Sequence, residues 1–222
     1  MNDYIARFRV NDLEKQELKE HIKEVQKLAA AMGKRVDLRR TVSSKELHSD
    51  KKATLESTLS LAGLLHDFGK YSIKFQRFIH EEWRRAKENK EEYLTKRKQS
   101  GIDHGVYGAK YIYDLSGKYG PNGRIVGELL ADVICYHHGG LPDAEDFNGD
   151  SPLLMRLQDE NRLADYEQVK EVFFKDLQIT EQEIEQLFKK SIEEIKLLIL
   201  KSSTGNEAKN KRKNDANFMP NL

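Results

Sequence analysis

Apolar residues recur along this chain at helical rather than strand spacing, and this is what most limits its fold. Leu18, His21, Ile22, Val25, Leu28, Ala29 and Met32 follow one another at intervals of 3, 1, 3, 3, 1 and 3 residues. That rhythm is one stripe of a helix over about Leu13 to Met32, with Gly33 as its end signal. Leu55, Leu59, Ala62 and His66 make a second stripe over about Thr54 to Asp67, bent or ended by Gly69. A third helical stretch, Ser72 to Gln99, carries Phe75, Phe78 and Ile79 on one side and turns almost wholly charged from Glu81. His104, Tyr107, Gly108, Tyr111 and Leu115 define a helix over about Asp103 to Leu115. After a turn at Gly117 to Gly123, the next runs from about Arg124 to His138 on Val126, Leu129, Leu130, Val133, Ile134 and His137. Two more are expected over Leu153 to Lys175 and Glu181 to Lys201, the last opened by a Thr180/Glu183 capping box. Four prolines and few alternating segments argue against an all-β fold. The expected architecture is an all-α bundle with irregular loops and helices of unequal length.

The 222 residues suffice for one sizeable core. We read 1–201 as one domain, with a loop or insertion at about 34–53 and a charged segment at about 81–100. Residues 202–222 read as a flexible polar tail. Lysine and arginine number 38 against 37 aspartates and glutamates, a formal net charge of +1. No bulk field therefore attracts nucleic acid, and any such affinity must come from a local site. The single cysteine, Cys135, excludes an internal disulfide and a cysteine-based zinc site, and fits a reducing compartment. No apolar signal core or bilayer-length run is present, so a cytoplasmic protein without membrane contact is expected.

The histidines point to chemistry. Of seven, His21, His66, His104 and His137 each continue the apolar stripe of a different helix, which aims four imidazoles at one interior. His138 can reach the same region, and Asp67 stands beside His66. One histidine on an apolar face is ordinarily a core residue bonded to a carbonyl or water. Four or five together each need a partner and repel one another if protonated. A metal resolves this by taking neutral imidazole nitrogens with a neighbouring carboxylate. Imidazole and carboxylate without thiolate suit manganese, iron, cobalt, nickel or zinc. Five histidines exceed what one catalytic ion with an open position uses, whereas two ions bridged by Asp67 would use them all. Two ions about 4 Å apart suit in-line attack on a phosphoester.

The segment Leu64-Leu65-His66-Asp67-Phe68-Gly69-Lys70 resembles the signature of the HD phosphohydrolase superfamily. Further residues narrow the likeness: Glu20-His21 with Leu28-Ala29, Phe75-Gln76 after Lys70, Asp103-His104 before Gly108-Ala109, and His137-His138 before Gly139-Gly140-Leu141. Together, over about residues 15–150, they resemble the HD nuclease domain of the type I CRISPR-associated helicase-nuclease. The resemblance implies an HD-type helical bundle that cleaves single-stranded DNA with divalent metal. Two ions are implied, of manganese, nickel, cobalt or iron, with magnesium also admissible. It implies as partners a helicase domain, in cis or in trans, and a CRISPR RNA-guided surveillance complex. His21, His66 and Asp67 would hold one ion; Asp67, His104, His137 and His138 the other; Lys70 would sit near the scissile phosphate. The family pattern closes with a further aspartate on a later apolar helix. Asp165 and Asp176 lie in charged helices and Asp215 in the polar tail, so an excised or truncated domain lacking its last ligand is expected.

Two other functions share these residues: an HD phosphohydrolase acting on nucleotides or cyclic dinucleotides, and a non-catalytic docking module. The intact ligand set opposes the second. A closed base-recognising pocket would mark the first, an open groove a nuclease. Of the remaining residues, His48 reads as an exposed loop residue and His80 as structural or exposed. Cys135 reads as a small buried hydrophobe, and Tyr71, Phe75, Gln76 and Trp83 as packing.

Overall fold

A computed structural model of the chain describes residues 3–37, 54–96 and 101–196. The tail at 202–222, His48, Asp215 and most of the loop expected at 34–53 lie outside these. The fold is all-α, as its periodicity implies, with one short hairpin. Strand β1 (Ile5–Phe8) pairs antiparallel with β2 (Lys15–Glu17). Helix α1 (Leu18–Gly33) follows, then α2 (Glu56–Leu65), a 3₁₀ turn at Phe68–Tyr71, α3 (Ile73–Glu88) and α4 (Lys90–Thr95). Next come α5 (Gly105–Ser116), a 3₁₀ turn at Gly117–Tyr119, α6 (Gly120–Cys135), α7 (Pro152–Leu157) and α8 (Tyr166–Leu177). A last helix, α9, covers 181–196. Helices α1 and α2 pack together, as do α5 and α6, and the turn after α2 lies between α5 and α8. One cluster of buried residues runs from Ala6 to Ile195, so the described segments share a single core. No helix among them is long and apolar enough to cross a membrane.

Several local expectations are corrected. The helix expected from Leu13 begins at Leu18, because Asp12 and a left-handed Leu13 (φ 58°) turn the chain into the hairpin. The hairpin is held to α3 by Trp83, whose indole N–H donates to the Leu13 carbonyl at 3.0 Å. Leu28 and Met32, expected inside, are 63% and 57% exposed, since only Leu18, Ile22 and Gly33 of α1 are fully buried. Leu129 and Val133 of α6 are likewise exposed. The helix expected over 153–175 is two helices. Between them the Asp159 carboxylate accepts from the amides of Asn161 and Arg162, a local bond that competes with helix continuation. Helix α6 starts at Gly120 rather than Arg124, with Pro121 in its first turn where a missing N–H costs nothing. The charged stretch after Glu81 is helical, breaks at Asn89 and resumes as α4, which buries Tyr93. The capping box forms: Thr180 Oγ1 accepts from the Glu183 amide and Glu183 accepts from the Thr180 amide at 2.7 Å.

Helix α2 has no cap of its own, for Leu55 stands at its N-cap. Glu194 of α9 supplies one from 136 residues away: it accepts from the amides of Ser57 (2.9 Å) and Thr58 (2.8 Å) and from the Thr58 hydroxyl (2.7 Å). A carboxylate at these orphan donors also meets the positive end of the helix dipole. Glu194→Ala is expected to lower unfolding free energy by about 2 kcal/mol, the scale of a lost cap with charged hydrogen bonds. Urea unfolding of the two proteins checks this. A change below about 0.5 kcal/mol, the ordinary scatter of surface substitutions, would refute the cap.

Candidate metal centre

The site is assembled at helix ends. His66 and Asp67 lie just past the end of α2, and His137 and His138 just past the end of α6. His104 is the N-cap of α5, and His21 stands in α1. The His66 and His137 rings each return to a carbonyl of the helix they leave. His66 Nδ1 donates to Gly63 O and His137 Nδ1 to Ile134 O, both at 2.8 Å. A ring nitrogen facing a carbonyl carries a proton, which leaves Nε2 of each ring as the nitrogen placed to ligate a metal. These bonds also satisfy carbonyls that a helix C-terminus leaves open.

Phe68 anchors the turn. Its side chain is fully buried and stacks on Phe173 of α8 with centroids 4.1 Å apart. Gln76 ties the same turn to the hairpin. Its amide donates to Lys70 O (2.8 Å) and Ile5 O (3.0 Å), while its carbonyl accepts from Ile5 N (2.9 Å). Tyr71 donates to Asp176 at 2.7 Å and Tyr107 to Asp165 at 2.6 Å. Those two aspartates thus hold tyrosines, and neither joins the cluster. Close backbone contact does the remaining alignment. A Cβ on Gly105 would stand 2.7 Å from the Cys135 carbonyl, and one on Gly69 or Gly108 would strike the carbonyl of His104 or Leu65. These small residues bring the ends of α2 and α6 against the start of α5.

The five histidines singled out from the sequence as ligands gather around the sixth, the Asp67 carboxylate, four directly and His138 through His104. Asp67 is 1% exposed. His21 Nε2 and His66 Nε2 each lie 3.0 Å from its Oδ2, and Lys70 Nζ lies 2.9 Å from the same oxygen. His104 Nε2 is 3.3 Å and His137 Nε2 3.6 Å from Oδ1. His138 joins through His104, their Nε2 atoms 3.0 Å apart. Two groups able to hold a metal ion share Asp67: His21, His66 and Asp67; and Asp67, His104, His137 and His138.

Burial alone would raise the Asp67 pKa, but His104, His137, His21 and His66 outweigh it and hold the carboxyl far below the usual carboxylate range. Burial, then the neighbours His137, His104 and Lys70, lower His138 to about 4, so at neutral pH it is an uncharged potential ligand. Yet neither Asp67 oxygen receives a well-directed hydrogen bond, and His137 Nε2 has no partner. Lone pairs of imidazole and carboxylate thus face one another in a buried space. A divalent cation satisfies that arrangement. The single thiol takes no part: Cys135 is buried in α6, and burial pushes it up to about 11.

A helical domain that gathers a His-Asp turn and four further histidines around one buried carboxylate is a domain of HD type. Residues 9–210 match the family model described as the HD domain of Cas3, and the chain belongs to that family of CRISPR-associated HD nucleases. The family's setting is that of a helicase-nuclease with a DNA substrate. Comparison with curated proteins gives no match.

Two groups next to the cluster, Arg156 and Arg162, carried no pattern in the sequence. Asp103 accepts from Arg156 Nη1 (3.0 Å) and Arg162 Nη1 (2.8 Å) immediately before His104. Both are cations separated from the histidines in sequence and common in composition; only folding brings them alongside.

Proposed function

We propose that the chain is a metal-dependent nuclease that hydrolyses phosphodiester bonds of single-stranded DNA with two divalent transition-metal ions. The observation that carries the reading is the buried Asp67 carboxylate facing imidazole lone pairs, with no directed hydrogen bond to either oxygen. His21, His66 and Asp67 would hold one ion and Asp67, His104, His137 and His138 the other. When bound, the pair activates water and stabilises charge on the attacking and leaving oxygens. The chain's own part is to fix that geometry. Gly63 O and Ile134 O orient two of the rings through Nδ1, the second layer of contacts that sets ligand tautomer. Lys70, 11% exposed and ion-paired to Asp67, keeps an ammonium beside the reacting phosphate, where it offsets developing negative charge. The other partners follow from the family: a helicase domain, in cis or in trans, delivers the strand, opened by an RNA-guided surveillance complex. The domain itself is proposed to comprise 1–201.

Incubation with a circular single-stranded DNA and added manganese, nickel or cobalt tests this. A circle has no ends, so cutting reports internal cleavage. Hydrolysis of bis(p-nitrophenyl) phosphate without cleavage of DNA under any of the three metals would overturn the DNA reading. Lys70→Ala is expected to lower turnover about 100-fold, as for loss of one stabilising donor, with bound metal unchanged. Elemental analysis alongside kinetics checks it; equal loss of both would show that Lys70 maintains the site instead.

A further inference from the structure

A groove of about 970 Å³ opens beside the cluster, and His104 and His138 form part of its wall. Arg156 and Arg162 also line it, 38% and 44% exposed at the side chain. Both donate to the same Asp103 oxygen, Arg156 at 3.0 Å and Arg162 at 2.8 Å. Arg162 Nε also donates to Asp159 at 2.8 Å, and the Arg156 guanidinium lies over the Tyr136 ring at 4.6 Å. Two guanidiniums are thus held side by side, each with part of its donor fork engaged. Helix α3 contributes Phe78, half-buried, to the lining of the same groove.

We propose that this groove seats the strand flanking the scissile bond, with Arg156 and Arg162 gripping successive phosphates and Phe78 stacking on a base. The proposal rests on the nuclease reading above and extends it to residues outside the cluster. The occupant follows from the chemistry. An arginine fork matches phosphate oxygens, and ordering by Asp103 reduces the freedom lost on binding. An aromatic face lining a groove accepts any base and suits an unpaired strand. Shared walls with the metal cluster make the groove continuous with the reacting phosphate. With a chain charge of only +1, strand affinity has to come from such a local pair. Asp103 is a positioning residue: it holds the two cations at a fixed place next to His104.

The test is binding of fluorescein-labelled dodecathymidylate, followed by anisotropy without added metal from 25 to 200 mM salt, to the whole chain. The Arg156→Gln, Arg162→Gln double variant is expected to bind at least about tenfold more weakly. Its log affinity should fall less steeply with log salt, by about 1.4, at about 0.7 per phosphate contact on a single strand. The double lysine variant keeps both charges and should recover the salt slope, which a merely structural role would not predict. Phe78→Ala should weaken binding about tenfold with the slope unchanged. A slope equal to wild type in the double glutamine variant, or no recovery with lysine, would overturn the proposal. Wild-type protein that binds the strand with these effects but cuts no DNA would leave the groove standing and reject the nuclease. Wild-type protein that cuts DNA with arginine-independent binding would do the reverse, and absence of binding would reject the groove.

Discussion

Asp67→Ala is expected to reduce metal-dependent cleavage at least about a thousandfold and to leave the helical fold in place. Among the described residues, Asp67 is the one anion paired with His21, His66, His104, His137 and Lys70, and it belongs to both candidate metal groups. Without it the remaining ligands are imidazoles with no carboxylate among them, and His21 and His66 alone make a poor site for a doubly charged ion. The core should survive, because the turn is anchored by Phe68 and Gln76 rather than by the carboxylate. Asp67→Asn sharpens the test by keeping shape and removing charge. Metal content, circular dichroism and cleavage would be measured on all three proteins. A variant that retains both metal and activity would end the bridging role. One that loses its helical signal would show that the carboxylate is structural instead.

The second large effect is expected from a single added methyl. Gly108 lies inside α5, where glycine costs about 1 kcal/mol relative to alanine. Propensity alone would therefore favour Gly108→Ala. The fold reverses the sign, since the new Cβ would collide with the Leu65 carbonyl oxygen and approach Ile134 Cγ2 at 3.1 Å. The carbonyl belongs to the last residue of α2, directly before His66, and cannot swing aside as a flexible side chain could. We expect a loss of about 3 kcal/mol in stability, at the upper end for overpacking, and metal binding impaired together with it. Thermal unfolding and metal titration of the variant check this. A stabilised protein with full metal content would show that α5 and α2 have room to separate.

The contrast between these two sites shows how much a sequence of this kind makes readable. His21, His66, His104 and His137 are legible because each ring continues an otherwise apolar stripe, a pattern that is costly unless the rings meet; His138 and Asp67 are legible only as their neighbours in sequence. Gly69 read as a helix end and as part of the His-Asp turn, and Gly105 carried no signal at all, yet both set the distance between chain segments. The hairpin escaped because β2 is three polar residues, Lys15 to Glu17, too short for alternation to register. Leu28 and Met32 were misjudged because periodicity reports which residues share a face, not how much of that face a neighbour covers. The Asp103 arginine pair had no pattern, since surface cations recur throughout a chain that is 34% charged.

The cap that Glu194 provides has a consequence for how the protein is made. On a ribosome the residues of α2 emerge long before residue 194. Until α9 docks, the amides of Ser57 and Thr58 and the Thr58 hydroxyl must be satisfied by water. Contacts this distant along the chain form late and cooperatively. The segment that ends in His66 and Asp67 therefore reaches its full stability only after nearly all of the described chain has been synthesised. Partly made chains would hold an unsettled version of the turn, so a metal-loaded centre would be reserved for finished molecules.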